Sequence, residues 1–143
     1  MTAMTVERVL FRRDRMIMLV RVPEGPSAHL TPEARDYVLA ARPSLARHTC
    51  LNVEGKPFGA ILQHTSLPHV LEHLIIDFQA ELSRAQGNGL ATRAPLTFVG
   101  TTEWLDEREG LARIEVNFTD DLIALDALKR ARALMDEGMV RKS

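Results

Sequence analysis

Several features are absent from this sequence, and each absence narrows what the protein can be. Cys50 is the only cysteine, so an internal disulfide is excluded, and this usage is typical of a reducing compartment. No apolar run approaches the roughly 20 residues that a membrane-spanning helix needs. The phosphate-binding pattern G-x-x-x-x-G-K-S/T is missing as well, so we expect no nucleotide cofactor.

An excess of charge of one sign is also missing. The formal net charge is -1, which indicates neither nucleic acid nor an anionic membrane as a partner. Arginines precede the apolar run 16–20, but Arg21 and Pro23 interrupt that run, and no small-residue cleavage site follows. Because this pattern does not match a signal peptide, we expect a cytoplasmic location.

What remains is the composition of an ordinary globular domain. The chain has 143 residues, of which 45% are hydrophobic and 26% are charged. It contains no internal repeat, low-complexity tract or linker-like stretch. We therefore predict a single domain over residues 1–143, with loose termini at 1–8 and 138–143, and the sequence leaves the oligomeric state open.

The first half of the chain predicts a strand, a helix and a short extended piece. Met16–Val22 is apolar and ends at a turn sequence, which is typical of a buried strand. Thr31 is suited to cap a helix that has Pro32 at its first position and is stopped by Pro43. His48–Val53 is predicted to be extended.

The second half predicts a long helix, two strands and a final helix. Apolar residues recur at helical spacing over Ser66–Gly87. Leu96–Val99 and Ala112–Phe118 have the character of strands, and Asp120 and Asp121 favour a helix amino terminus. The predicted order is β-α-(β)-α-β-β-α, an α+β fold with helices packed on a small antiparallel sheet.

The segment Pro68–Leu74, PHVLEHL, carries the strongest chemical signal. A helix advances about 100° per residue, so His69 and His73 lie about 40° apart, and Glu72 lies about 60° from His69 on the other side. The three side chains share one helical face and can converge on one ion. H-x-x-E-H is the inverted order of the zinc-binding pattern H-E-x-x-H.

This set of residue types suits metal-assisted hydrolysis. Neutral imidazoles are common zinc ligands, and a catalytic zinc site keeps one position open for water. Zinc lowers the pKa of that water, and Glu72 is placed to act as general base. The alternative is a surface or interface cluster on an ordinary amphipathic helix, because H-x-x-E-H also arises by chance.

A third ligand would decide between these two interpretations, and the sequence offers several candidates. His48 and Cys50 lie upstream in the predicted extended piece, Glu115 lies in the second late strand, and Glu103 precedes Trp104. A lone cysteine is more often a small buried hydrophobe than a ligand.

Three separated runs resemble the amino-terminal domain of cyanophycin synthetases. They are 43–50, which ends in His-Thr-Cys, the turn 55–59, and 67–79, which contains the H-x-x-E-H helix. The strand 113–118 resembles that domain's final strand, so the similarity covers about residues 16–137. The chain departs from the pattern at Phe58 in the turn, at Asn117-Phe118, and over 89–110.

The resemblance implies an activity on polymers or peptides. The synthetases contain ATP-grasp and Mur-ligase-like modules, neither of which fits in 143 residues, so this chain is not a synthetase by itself. In some members the helix looks like a zinc peptidase site, which implies an amide hydrolase acting on a peptide or an Asp–Arg polymer. The alternative is a non-catalytic module that binds polymer or protein, or that regulates a separate synthetase.

The resemblance also orders the candidate site residues. His48 becomes the first choice for the third ligand, because the family presents a His-x-Cys segment there, and Glu115 becomes the second. Glu103, Glu107 and Glu109 are acidic groups that would suit the arginine side chains of such a polymer, and the alternative for each of them is an ordinary solvated loop residue.

Overall fold

The computed structural model describes residues 4–48, 56–85 and 98–140. Within these ranges the chain forms four strands, β1 Thr5–Phe11, β2 Arg15–Arg21, β3 Gly100–Asp106 and β4 Leu111–Asn117. The helices of the same ranges are α1 Pro32–Ala41, α2 Phe58–Ile61, α3 Leu67–Ala85 and α4 Asp121–Val140, with 3₁₀ turns at Pro43–Arg47 and Leu62–His64.

The strands form one antiparallel sheet in the order β1-β2-β4-β3, and helices pack on it. Strand β4 shows how the sheet is built, because Ala112, Ile114 and Val116 are fully buried and alternate with half-buried residues. Alternation with period two places one set of side chains against the helices and the other set on the opposite face. The predicted α+β fold is confirmed.

Helix α3 lies across the sheet and is packed against both β3 and β4, and α4 packs beside it. Its apolar face includes Val70, Leu71, Leu74 and Ile75, all with no exposed surface. Several polar side chains of α3 are buried as well, so this helix is enclosed on most of its circumference. Its observed bounds lie within the predicted range Ser66–Gly87.

The end of α1 brings a second segment to α3. Helix α1 begins as predicted, with Thr31 Oγ1 accepting a hydrogen bond from the Ala34 amide at 3.1 Å and Pro32 in the first turn. It ends at Ala41 and is capped by Arg42, and the 3₁₀ turn that follows packs against α3. As a result, Arg42, Ser44 and His48 lie beside the middle of α3.

Two segments that were predicted to be loose are partly in regular structure, within the described residues, which leave out 1–3 and 141–143. The segment 1–8 was expected to be loose, but β1 begins at Thr5 and pairs with β2. The strand lies at the edge of the sheet and is mostly exposed, with a register shift between Val6 and Arg8, so it lacks a clean apolar alternation. The segment 138–143 was also expected to be loose, but α4 continues to Val140.

The first late strand was placed too early in the chain. It was predicted at Leu96–Val99, whereas β3 spans Gly100–Asp106 and Phe98 and Val99 precede it. Because β3 is an edge strand, its exposed residues alternate with half-buried ones, and its sequence shows no strong apolar pattern. Residues 96 and 97, and residues 49–53 of the predicted extended piece, lie outside the described residues.

None of the helices in the described ranges is long and apolar enough to cross a membrane.

Candidate metal centre

Helix α3 brings His69, Glu72 and His73 together. One possible ligand atom from each side chain lies within 4.8 Å of the other two, so the described residues include a group that can hold a metal ion. The helical spacing explains the convergence, since residues three and four apart share one face. The predicted common face is therefore present in the folded chain.

The group lines a cavity of about 560 Å³ between α3 and the start of β3. Its described lining consists of His48, His69, Glu72, His73, Ile76, Phe98, Val99, Gly100, Thr101 and Thr102. This volume falls within the range of small-molecule and short-peptide pockets. The cavity combines a few converging polar groups with apolar walls.

Phe58 forms the apolar support behind the two imidazoles. Its ring stacks on that of His73 with 3.9 Å between centroids and 18° between planes, and its ring centroid lies 5.7 Å from that of His69 in an edge arrangement. Gly59 lets the segment that carries Phe58 lie close to Ala46, because a Cβ there would lie 2.8 Å from the Cβ of Ala46. The turn at Phe58 thus fixes the ring plane of His73.

Burial keeps both imidazoles neutral. It lowers the pKa of His69, and it lowers the pKa of His73 to about 3, with further lowering by the charges of His69 and His48. A neutral imidazole offers the lone pair that a metal ion requires. At neutral pH these two side chains are therefore in the protonation state of ligands.

Glu72 is buried, with 5% of its surface exposed. Its Oε1 accepts a hydrogen bond from Thr102 Oγ1 at 2.7 Å and lies 4.0 Å from His69 Nε2. Burial raises the pKa of Glu72, and the Thr102 hydrogen bond opposes that rise in part. A carboxylate whose pKa is moved toward neutrality is suited to take up and later release a proton.

Gly100 lets β3 lie close to Glu72. A Cβ at this position would be 2.8 Å from Val116 Cγ1, 2.9 Å from the Glu115 carbonyl oxygen and 3.0 Å from Glu72 Cγ. Any side chain here would push β3 away from α3 or move the carboxylate. The absence of a side chain therefore defines the distance between the two walls of the cavity.

His48 lies directly behind His73. His48 Nδ1 is 3.1 Å from His73 Nδ1, and His48 Nε2 is 3.0 Å from Asp77 Oδ1. Asp77 also accepts hydrogen bonds from Ser44 Oγ and Arg42 Nε, each at 2.7 Å. The predicted third ligand is thus close to the group, although the group of three in mutual reach does not include it.

Asp77 is ionised despite its burial. Burial alone would raise its pKa, but hydrogen bonds from His48, Ser44 and Arg42, together with the Arg42 charge, lower the pKa to about 2. The carboxylate therefore acts as a hydrogen-bond acceptor throughout the physiological range. It gives the interior behind His73 a fixed negative charge.

Glu115, the second choice for the third ligand, is not brought to the group. Its carboxylate lies 2.8 Å from Arg113 Nη2 and 3.2 Å from Arg15 Nε. It belongs to the set of β4 residues that alternates with the buried ones, so it faces away from α3.

The three acidic residues assigned to arginine binding also lie elsewhere. All are exposed, and the described lining of the cavity includes none of them. Glu103 is 3.7 Å from Arg113 Nη1, and Glu109 is 3.7 Å from Arg21 Nη1, while Glu107 lies in the turn between β3 and β4. Cys50 lies outside the described residues.

Asp77, Phe58 and Thr102 contribute to the site but were not predicted from the sequence. Asp77 had a detectable signal, because it lies four residues after His73 and continues the same helical face. Phe58 and Thr102 had none, because the fold brings them to α3 from segments that are distant in sequence.

No protein-family model matches this chain, and no curated protein matches it either. The fold and the side chains define an α+β protein with a candidate metal centre on a buried helix.

Proposed function

We propose that this chain is a zinc-dependent amide or peptide hydrolase. His69 and His73 would hold the ion, and Glu72 would act as general base. The observation that carries the proposal is the convergence of these three side chains on the wall of one cavity. Bound zinc would supply Lewis acidity, which polarises a carbonyl group and lowers the pKa of water in the site.

The protonation states support these roles. Burial lowers the pKa of both histidines, so each can present a lone pair without first losing a proton. Burial raises the pKa of Glu72, so its conjugate acid is a better proton donor in the second half of the reaction. Glu72 would take a proton from water and deliver it to the leaving amine nitrogen.

The residues that line the cavity support a role in orienting the Glu72 carboxylate. Thr102 holds the Glu72 carboxylate through its hydroxyl group, and Gly100 allows β3 to approach it. Ile76, Phe98 and Val99 supply apolar surface that limits water around the reacting groups.

The proposed substrate is a peptide or an Asp–Arg polymer. This part of the proposal depends on the resemblance to cyanophycin synthetase amino-terminal domains. The size of the cavity supports it, since about 560 Å³ accommodates a few residues of an extended chain.

One observation favours a second candidate, a non-catalytic module that binds polymer or protein. His73 is stacked on Phe58 and lies within hydrogen-bond distance of His48, so these contacts hold the face together without an ion. In such a module the His-Glu-His face would be a contact surface.

The deciding experiment is metal analysis of the purified protein beside the double variant His69→Ala/His73→Ala. We expect about one zinc per chain in the wild type and none in the double variant. Hydrolysis of an Asp–Arg polymer and of a mixed peptide library would then be measured, with Glu72→Gln as control. Absence of metal from both proteins after incubation with zinc would refute the hydrolase and favour the binding module.

A further inference from the structure

A chain of hydrogen bonds leads from a buried carboxylate to His73. Asp77 Oδ2 accepts from Arg42, and Asp77 Oδ1 accepts from Ser44 Oγ and lies 3.0 Å from His48 Nε2. The other nitrogen of His48 lies 3.1 Å from His73 Nδ1. Both nitrogens of His48 are therefore within hydrogen-bond distance of a partner.

The charge of Asp77 fixes which nitrogen atoms carry protons in this series of hydrogen bonds. An ionised carboxylate can only accept hydrogen bonds, so His48 Nε2 must donate to it. When the imidazole of His48 is neutral it carries one proton, so Nδ1 of His48 is then an acceptor. His73 Nδ1 must in turn be the donor, and the lone pair of His73 is left on Nε2.

We propose that His48 is a positioning residue that, held by Asp77, fixes the tautomer of His73 so that Nε2 is the atom that binds the ion. This inference rests on the proposed metal centre. It replaces the role of direct third ligand that the sequence predicts for His48.

A further observation supports this role. The Phe58 ring is stacked on His73, so the orientation of the imidazole is restrained as well as its proton. Carboxylate and imidazole partners of this kind orient the ligands of many metal sites, and their loss costs about 10- to 100-fold in metal affinity.

The variant Asp77→Asn should reverse the chain of donors. Arg42 has no acceptor atoms, so the amide oxygen must remain on its side, and the amide NH₂ must face His48. His48 Nε2 would then accept, its Nδ1 would carry the proton, and His73 Nδ1 would have to accept. The proton of His73 would move to Nε2, the atom that the ion needs.

The matched control is Glu81→Gln. Glu81 accepts a hydrogen bond from the same Arg42 at 2.9 Å and lies on the same helix, but half of its side-chain surface is exposed. The substitution also converts a carboxylate that contacts Arg42 into an amide. Glu81, however, is not part of the series of hydrogen bonds that leads to His73.

The measurement is nitrogen-15 NMR of the histidine rings in metal-free protein at pH 8, where an ordinary imidazole is neutral. We expect a proton on His73 Nδ1 and on His48 Nε2 in the wild type and in Glu81→Gln. Asp77→Asn should move both protons and lower zinc affinity about 10- to 100-fold, while Glu81→Gln keeps the wild-type affinity.

A second readout uses cadmium-113 bound in place of zinc in the wild type. We expect scalar coupling from cadmium to His73 Nε2 and none to His48. Coupling to His48, or a proton on His73 Nε2 in the metal-free wild type, would overturn the proposal. Wild-type protein that shows the expected tautomers but binds neither metal would support the tautomer assignment and refute the proposed function.

Discussion

Glu72 and Glu115 are both carboxylates that the sequence placed at a metal site, and the fold puts them on opposite sides of the sheet. Glu72 faces the cavity, and its short hydrogen bond is with a threonine hydroxyl. Glu115 lies on the other face between Arg15 and Arg113, with 27% of its side chain exposed. The difference shows that burial beside neutral groups, rather than residue type, makes a carboxylate a candidate base.

The same contrast applies to the two arginine–carboxylate clusters. Arg42 and Asp77 are buried behind the candidate centre, with 13% and 6% of their side chains exposed. Arg113 and Glu115 are 34% and 27% exposed. Solvent weakens the second pair, since exposed ion pairs contribute about 0–1 kcal/mol, whereas the first pair lies where the loss of one partner is costly.

The largest expected effect separates the two glutamates. Glu72→Gln should lower amide hydrolysis about 10²- to 10⁴-fold, because it removes the proposed general base, while zinc content stays at the wild-type level. Glu115→Gln should leave the rate unchanged. Equal rates for Glu72→Gln and the wild type would exclude the proposed mechanism.

Acid should destabilise the metal-free protein through the buried face. The pKa of His73 is lowered to about 3, so the unfolded chain binds the proton more tightly. Stability should therefore fall as the pH drops from about 6.5 towards 3, by up to about 1.4 kcal/mol per pH unit. Urea unfolding from pH 7 to 4 measures this slope, and His73→Gln should flatten it. Wild-type stability that stays constant across this range would contradict the assigned burial.

Removing an arginine from each cluster should have unequal effects. Arg42→Met leaves Asp77 buried with fewer partners and should lower the free energy of unfolding by about 2–4 kcal/mol. Arg113→Met should lower it by no more than about 1 kcal/mol. Urea unfolding at pH 7 compares them, and similar losses in both variants would show that the buried cluster is no stronger than the exposed one.

A smaller effect is expected at Gly100, where β3 lies close to Glu72 of α3. Gly100→Ala would place a Cβ 2.9 Å from the backbone oxygen of Glu115, which cannot move cheaply, and 3.0 Å from Glu72 Cγ. We expect a loss of about 1–3 kcal/mol in unfolding free energy. Gly138→Ala is the control, because its nearest neighbour would be a Tyr37 side-chain atom at 3.3 Å, and its helical position favours alanine. A loss at Gly138 as large as that at Gly100 would argue against a special constraint at the cavity.

The sequence predicted the parts of the molecule that depend on local periodicity. The apolar repeat and the H-x-x-E-H spacing both follow from the helical period, so α3 and its shared face could be expected. The start of α1 was also predictable, because Thr31 and Pro32 are themselves the capping residues.

The parts that depend on tertiary packing could not be predicted in this way. Strands β1 and β3 are edge strands whose residues are exposed or half-buried, so neither carries a strong apolar alternation. Thr102 and Phe58 reach α3 only through the fold. Glu115 was a reasonable candidate by residue type, and only the pleat of β4 shows that it points away.

Arg42 links the end of α1 to the candidate centre, so the two regions should unfold locally together. Its backbone amide closes that helix on the Val38 carbonyl, while its guanidinium binds Asp77 and lies 4.3 Å from the centre of the Phe78 ring. Fraying of the last turn of α1 would therefore withdraw the cation that holds Asp77, and with it the support behind His48. Hydrogen exchange at the end of α1 and at the candidate centre should thus report one cooperative unit rather than two.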